Sequence, residues 1–551
     1  MRRRGGRSSG ISRNGCNGKE VDTMTEFYTV KETKLFYTGA QYPPAYEIPR
    51  LAKYKRGKAI FDGRHIEIYD RASSLLKDTP HAPQLKTLFI AVNIMDVLLT
   101  KPADLMVGEA PTFESGSAPD SAEQRALNRI VEENDIVQTI HETTIGSGFR
   151  GDSFLKTYHA ARADVSEAEQ LGLKPPPTPS EPIVEAVDAS IVFPETSRGS
   201  KKRFKAINIA WVEWEVEKSS AIMSFFTKIP TTETPYLNVE RHIPGYIIHE
   251  KYRLYERGVN AEWGVPIPTY SIGELVPTGR EEDIVETGTS RLLVHHIPYK
   301  TSDDDWRGIS GVEKLESVLA AINDRLVQID YILWKHSDPT AYGPDFEDAE
   351  GNARFAGRYI PVTKEDVTPG YMTWDSQLDG AFRELDLLLG LVYQISETPQ
   401  WLFGTTLASD KGGTGTSHTD AGAIKARFMP IISKVKRIRS HVDRAVRDAL
   451  WSAMELENFA NRGDESFEAY TPVYPKITWR DGIPRDEKEA AEVANLRTGG
   501  KPTWSVTDAI KDLDGVDDAQ AAELVRRIDE DEQRVSGTVD ASIFNDPGGD
   551  A

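Results

Sequence analysis

The stretch from Gln377 to Phe459 constrains this chain more than any other. It opens with an apolar helical pattern at Leu378, Phe382, Leu385, Leu389 and Val392, then breaks at Thr398-Pro399 into a polar, glycine-rich loop, GTTLASDKGGTGTSHTD. It resumes as a long basic helical segment, AGAIKARFMPIISKVKRIRSHVDRAVRDALWSAMELENF. Proline removes an intrahelical hydrogen bond and clashes with the preceding turn, so Pro430 predicts a kink there. A second long helix is written upstream, GVEKLESVLAAINDRLVQIDYILWKHSD, in which Leu315, Leu319, Ile322, Leu326, Ile329 and Leu333 step alternately by four and three. That is an a/d seam, and the helix from Leu378 carries the same spacing. The two seams can pack against each other as an antiparallel hairpin within one chain, or against copies of themselves in a ring. Spacing alone leaves both open.

The segment between these helices, Asp338 to Ser376, is too long for a structureless loop in a compact domain. ARFAGRYIPV and GYMTW within it are strand-like, which predicts a small β module at the tip of the helix pair. Upstream, LKTLFIAVNIMDVLLTKPADLMVGEAPTFES predicts a buried helix through Leu88, Val92, Met95 and Leu99, interrupted at Pro102. Ser121 with Gln124 resembles a capping box. A proline-rich connector, LGLKPPPTPSEP, separates this part from segments that alternate apolar and polar residues: SIVFP, FKAINIAWVEWEVE, GYIIHEKYRLYE and RLLVHHIPY. They predict an α+β region with an antiparallel sheet. Near the C-terminus, RDEKEAAEVANLRTGG predicts a helix closed by Gly499-Gly500, followed by two shorter helices, the last favoured at its N-terminus by Asp517-Asp518.

At 551 residues the chain exceeds one ordinary core, so two or more subdomains are expected. The net charge of -20 argues against a general nucleic-acid binder, though not against a protein that lets DNA pass without holding it. No apolar run approaches the ~20 residues of a membrane span. Cys16 is the single cysteine, which excludes intramolecular disulfides and cysteine-rich zinc sites and fits an intracellular assembly compartment. Residues 1–23 are basic and Gly/Ser-rich without an apolar core, so they read as a disordered leader or as translated sequence upstream of Met24, not as a secretory signal.

Against this acidic background Lys425, Arg427, Lys434, Lys436, Arg437, Arg439, Arg444 and Arg447 form a basic island. Its cations can face DNA phosphates, pair with acidic neighbours across a subunit interface, or line a solvated helix face. Enzyme motifs fail where they are sought. DKGGTGTS lacks the lysine of a phosphate-binding loop, and no GxSxG, HExxH or EF-hand pattern occurs. The carboxylate run of TSDDD, Asp303 to Asp305, leaves a metal-dependent nucleic-acid enzyme as the distant alternative; a solvated cap explains it equally. His295-His296 lie in a strand pattern, where neighbours point to opposite faces and do not share one ion.

The ordered set VNIMDVLLTKPADLMVGEAPTF, GDSFLKTY, GVEKLESVLAAINDRLVQIDYIL, a small β insertion, ETPQWLFG with its Gly-rich loop, a long kinked helix and ITWRDGIPRDEKEAAEVANLRTGG resembles the portal proteins of tailed bacteriophages, from about Met24 to Arg534. The resemblance implies a ring oligomer, usually a dodecamer, at one capsid vertex, with double-stranded DNA entering and leaving through its channel. It implies a wing over 24–309, stem helices over 310–337 and 378–397, a clip over 338–377, a tunnel loop over 398–420, a kinked helix and wing return over 421–481, and a helical crown over 482–534. A disordered tail covers 535–551. The stem would pack through the seam residues named above. The clip, with Arg354, Phe355, Arg358 and Tyr359, would dock the terminase motor and later a head–tail adaptor. The tunnel loop, with Thr405, Lys411, Gly412, Gly413, Gly415 and His418, would line the channel. Capsid and scaffold proteins are the remaining implied partners; no cofactor, metal, catalytic activity or membrane is implied, and the ring would be assembled in the host cytoplasm and reside in the virion.

Overall fold

The computed structural model describes residues 34–64, 92–163, 165, 171–174, 178–216, 233–336, 340–344, 359–362, 368, 370–372, 378–403, 421–480, 487–516 and 518–537. They mix helix and strand in an α+β arrangement. Strand β1 (Gln41–Tyr42) leads into α1 (Ile48–Phe61), α2 (Ile94–Val107), β2 (Thr112–Glu114), α3 (Ala122–Glu133) and α4 (Ile136–Arg150). A strand-rich part follows: β3 (Asp152–Ala161), β4 (Ser180–Val187), β5 (Val192–Thr196), β6 (Phe204–Val216), β7 (Glu233–Ile243), β8 (Tyr246–Glu262), β9 (Val265–Val276), β10 (Ile284–Glu286) and β11 (Val294–Pro298). Then come α5 (Glu316–His336), β12 (Thr340–Pro344), β13 (Tyr359–Val362), β14 (Gly370–Met372), α6 (Leu378–Ile395), α7 (Ala421–Ala460), β15 (Lys476–Thr478), α8 (Glu487–Thr498), α9 (Val506–Asp514) and α10 (Asp518–Gly537). The last helix runs three residues into the tail expected to be disordered.

The large sheet is antiparallel in the order β1-β9-β8-β7-β6-β5, with β10 against β8. Its strand β6 shows what the period of two accomplishes. Ile207 and Ile209 point into a core with Phe154 and Trp306. Ala210, on the other face, joins Phe36, Tyr42 and Leu237, which α1 covers with Ile48 and Leu51. A second antiparallel sheet, β11-β3-β4, lies under α7. Helix α7 is the spine of the fold. Ile431, Val435, Ile438, Val442, Ala445 and Ala449 step by four and three along one buried face, shared with α2, α3 and α4. Strand β15 pairs with β2 and returns the chain to the N-terminal part.

Two proline expectations meet different surroundings. Helix α2 begins at Ile94, after an exposed Val92, buries Met95 and Leu99, and continues through Pro102 instead of stopping there; Leu88 lies outside the described residues. Pro102 leaves the Leu98 carbonyl without its helical donor, and the Lys434 ammonium approaches that oxygen at 3.5 Å. Helix α7 likewise runs unbroken through Pro430. The Ser121 cap forms, its hydroxyl accepting from the Gln124 N–H at 3.2 Å, but Gln124 returns its side-chain oxygen to the Ser115 N–H, not to Ser121. Helix α4 closes on Gly151, whose φ of +100° suits glycine. Gly308 packs so close that a Cβ on either residue would strike the other's carbonyl.

Candidate functional site

The basic island is where α7 departs most from expectation. Lys434 points inward and is only 5% exposed, so it faces neither DNA nor solvent. Burial pushes its ammonium down to about 8. Arg437 donates to both carboxylate oxygens of Glu397 at 2.9 Å, clamping the residue that precedes Thr398-Pro399. Glu397 sits at φ +56°, a left-handed conformation that costs a non-glycine residue about 1–2 kcal/mol and is held here by its surroundings. Arg439 donates to the Arg480 carbonyl at 2.8 Å and lies over the Trp479 ring. Arg447 donates to the Pro475 carbonyl at 2.7 Å and covers Tyr474. Arg444 stands in solvent with only a distant Asp448 at 3.9 Å, and Lys436 is exposed. Lys425 and Arg427 lie in the first turns of α7, where side chains are outside the described residues. Three of the island's arginines, Arg437, Arg439 and Arg447, thus serve as intrachain clamps. They fasten the loop anchor and the 474–480 return to α7, a role that local sequence does not write.

The stem seams are brought together within one chain. Leu315, Leu319, Ile322 and Ile329 are buried in the subunit's own core, and Leu326 packs against it. Leu333 is exposed. Helices α5 and α6 run antiparallel: Arg325 pairs with Glu384 at 2.6 Å, while Leu315, just before α5, and Ile395, at the end of α6, line one cavity at the opposite end. On α6, Leu385 and Leu389 rest against that core with Val392, but Phe382 is exposed. The buried seam residues therefore hold the hairpin to the subunit's own core, while Leu333 and Phe382 stay outside it. Another stripe takes their place on the outside. Leu387, Leu391 and Ile395 repeat every four residues along α6 and are exposed at 65%, 37% and 41%. The i, i+4, i+8 spacing was present in the sequence, interleaved with the seam residues Leu385, Leu389 and Val392.

At the other end of the hairpin, β12 pairs in parallel with β13 and antiparallel with β14. Tyr359 opens β13; Arg354, Phe355 and Arg358 lie outside the described residues. So do Thr405, Lys411, Gly412, Gly413, Gly415 and His418 of the glycine-rich loop.

The paired histidines separate as the strand period requires. His295 is buried and pushed down to about 3, by burial first and then by the positive charges of Arg291 and His242. His296 turns to Asp152, with Nε2 2.6 Å from Oδ1. Asp152 is fully partnered: Tyr54 donates to Oδ2 at 2.5 Å and the Gly308 N–H to Oδ1 at 2.7 Å. Burial alone would raise this carboxyl, but these donors and His296 hold it below the usual carboxylate range. With its lone pairs spent inward, Asp152 ties α1, β3 and β11 together instead of facing a substrate. Of the TSDDD run, Asp305 accepts from the Trp306 N–H and from Arg307, and Asp303 and Asp304 are exposed on a loop eleven or more residues before α5, not at a helix start. Among the described residues, no group of three His, Cys, Asp or Glu could hold a metal, and no helix is long and apolar enough to cross a membrane. No protein-family model and no curated protein matches this chain.

Proposed function

We propose that this chain is the subunit of a portal ring of the tailed-bacteriophage kind: a channel at one capsid vertex through which double-stranded DNA is packaged and ejected, with docking surfaces for a terminase motor and a head–tail adaptor. The observation that carries the reading is the uncovered apolar stripe Leu387, Leu391 and Ile395 on a helix hairpin whose own seam is already satisfied. A contiguous apolar face left in water marks an interface. On a hairpin that carries a small sheet at its far end, a second copy of the same hairpin supplies a matching surface, and repetition of a head-to-tail contact closes a ring. The clamp of Arg437 on Glu397 supports the same reading, because it fixes the chain to the spine just before the Thr398-Pro399 break. The acidic balance fits a conduit that does not grip the duplex.

Replacing Leu387 and Leu391 together by Glu tests this. Both side chains are exposed, so the subunit should keep its circular dichroism and melting temperature. The double variant should remain monomeric in sedimentation where the wild type forms a large closed particle. Wild-type assembly by the variant would remove the stripe as the interface.

A further inference from the structure

At the root of the stem, the turn before α5, the end of α6, α7 and α2 enclose a cavity of about 60 Å³, room for a few waters or one small ion. Its walls are cationic in a chain that is acidic overall. Lys300, Lys314, Lys434 and Arg437 line it against one carboxylate, Glu397. That carboxylate is already engaged at both oxygens by Arg437. Among the described residues the three lysines have no acidic partner within ion-pair distance.

Two donors are built into the wall. The buried Lys434 ammonium has three N–H groups to place. It reaches only Leu98 O at 3.5 Å and Thr398 Oγ1 at 3.3 Å, both longer than a good N–H···O bond. The Tyr299 hydroxyl is buried, in a residue 7% exposed, and has no hydrogen-bond partner. Groups of this kind are costly to leave unpaired. Gly311 keeps the space open: a Cβ there would lie 3.4 Å from the Tyr299 hydroxyl and 2.8 Å from Leu99 Cδ2.

We propose that this cavity binds one small oxyanion of the phosphate class, held by the Lys434 ammonium and the Tyr299 hydroxyl, with Lys300 and Lys314 at its mouth. A tetrahedral oxyanion offers several acceptors at once, which is what unpaired donors converging on one space require. The occupant is a free anion and not a nucleic-acid phosphate, since a phosphodiester would bring two sugars into a space of this size. An occupied site would tie Thr398, where the glycine-rich loop begins, to α7 and α2. The inference does not depend on ring assembly.

Calorimetric titration of the full chain with inorganic phosphate, at ionic strength matched with chloride, tests it. The wild type should give a saturable heat of one phosphate per subunit. Tyr299→Phe, which removes one oxygen, and Gly311→Ala, which fills the space, should each weaken binding at least tenfold; Lys434→Met should abolish it, and the remote Lys476→Met should leave it unchanged. Melting curves establish that the variants fold. Absence of a saturable heat in the wild type, or equal affinity in folded Tyr299→Phe and Lys434→Met, would overturn the site.

Discussion

Two buried bases, beside lowered carboxylates such as Asp152, shape how the folded chain responds to pH. His295 holds its neutral form in the fold, down to about 3, while the unfolded chain takes up a proton near 6.5. Between those values the unfolded state binds more protons, so stability is lost as pH falls from about 6.5 toward 3 and is untouched above that window. Each pH unit of the window carries about 1.4 kcal/mol at most. His159, His249 and His441 are also lowered, chiefly by burial, and steepen the same decline. His295→Gln should therefore melt with a shallower pH dependence than wild type between pH 6.5 and 4.5; parallel curves would contradict the assignment. Lys434 acts in the alkaline range. Its folded value of about 8 lies below the unfolded value, so stability rises with pH from about 8 to 10.5, and at neutral pH the buried charge is a net cost. In oxyanion-free buffer Lys434→Met should raise stability at pH 7 by about 1–3 kcal/mol and flatten the alkaline rise. A melting temperature below wild type at pH 7 would show that its contacts to Leu98 and Thr398 outweigh the cost of the charge.

At the scale of elements, the two faces of the stem should behave oppositely. Leu319 is 3% exposed within the subunit core. Leu319→Asp buries an unpaired carboxylate and should cost more than about 3 kcal/mol, so the subunit itself fails to fold at ordinary temperature. Changes at Leu387 and Leu391 should each move subunit stability by less than about 0.5 kcal/mol. Chemical denaturation of the two kinds of variant separates them; a mild Leu319→Asp would mean that its helix is not held within the chain. These elements also show what the sequence made legible. The strands SIVFP, FKAINIAWVEWEVE, GYIIHEKYRLYE and RLLVHHIPY each contain a strand, because alternation is a local signal. Strands β7 and β9 lie outside the strand-like segments named from the sequence, and they carry Pro235, Pro266 and Pro268. In β9, Pro266 and Pro268 lie beyond the short stretch that β1 covers at Tyr270 and Ser271, so no outer ladder bond is forfeited there. The Leu98 carbonyl that Pro102 leaves free faces Lys434, distant in sequence, and no local pattern announces that approach. The same holds for the arginine clamps of α7 and for which stem face is inward.

For the whole molecule, the proposal is assembly through the outer face of α6 into a closed ring around a channel. The helical stretches, the sheet and the small β module follow from patterns that one chain carries in its own sequence. The ring does not, because symmetry is a property of copies and not of periodicity. Negative-stain imaging of the purified full chain, with its native mass measured over a dilution series, addresses the claim most directly. A closed annulus with a central hole is expected, at a single mass many times that of the subunit, a dodecamer by the resemblance, persisting on dilution and lost in the Leu387→Glu, Leu391→Glu double variant. A folded wild-type monomer or dimer at every concentration would contradict it.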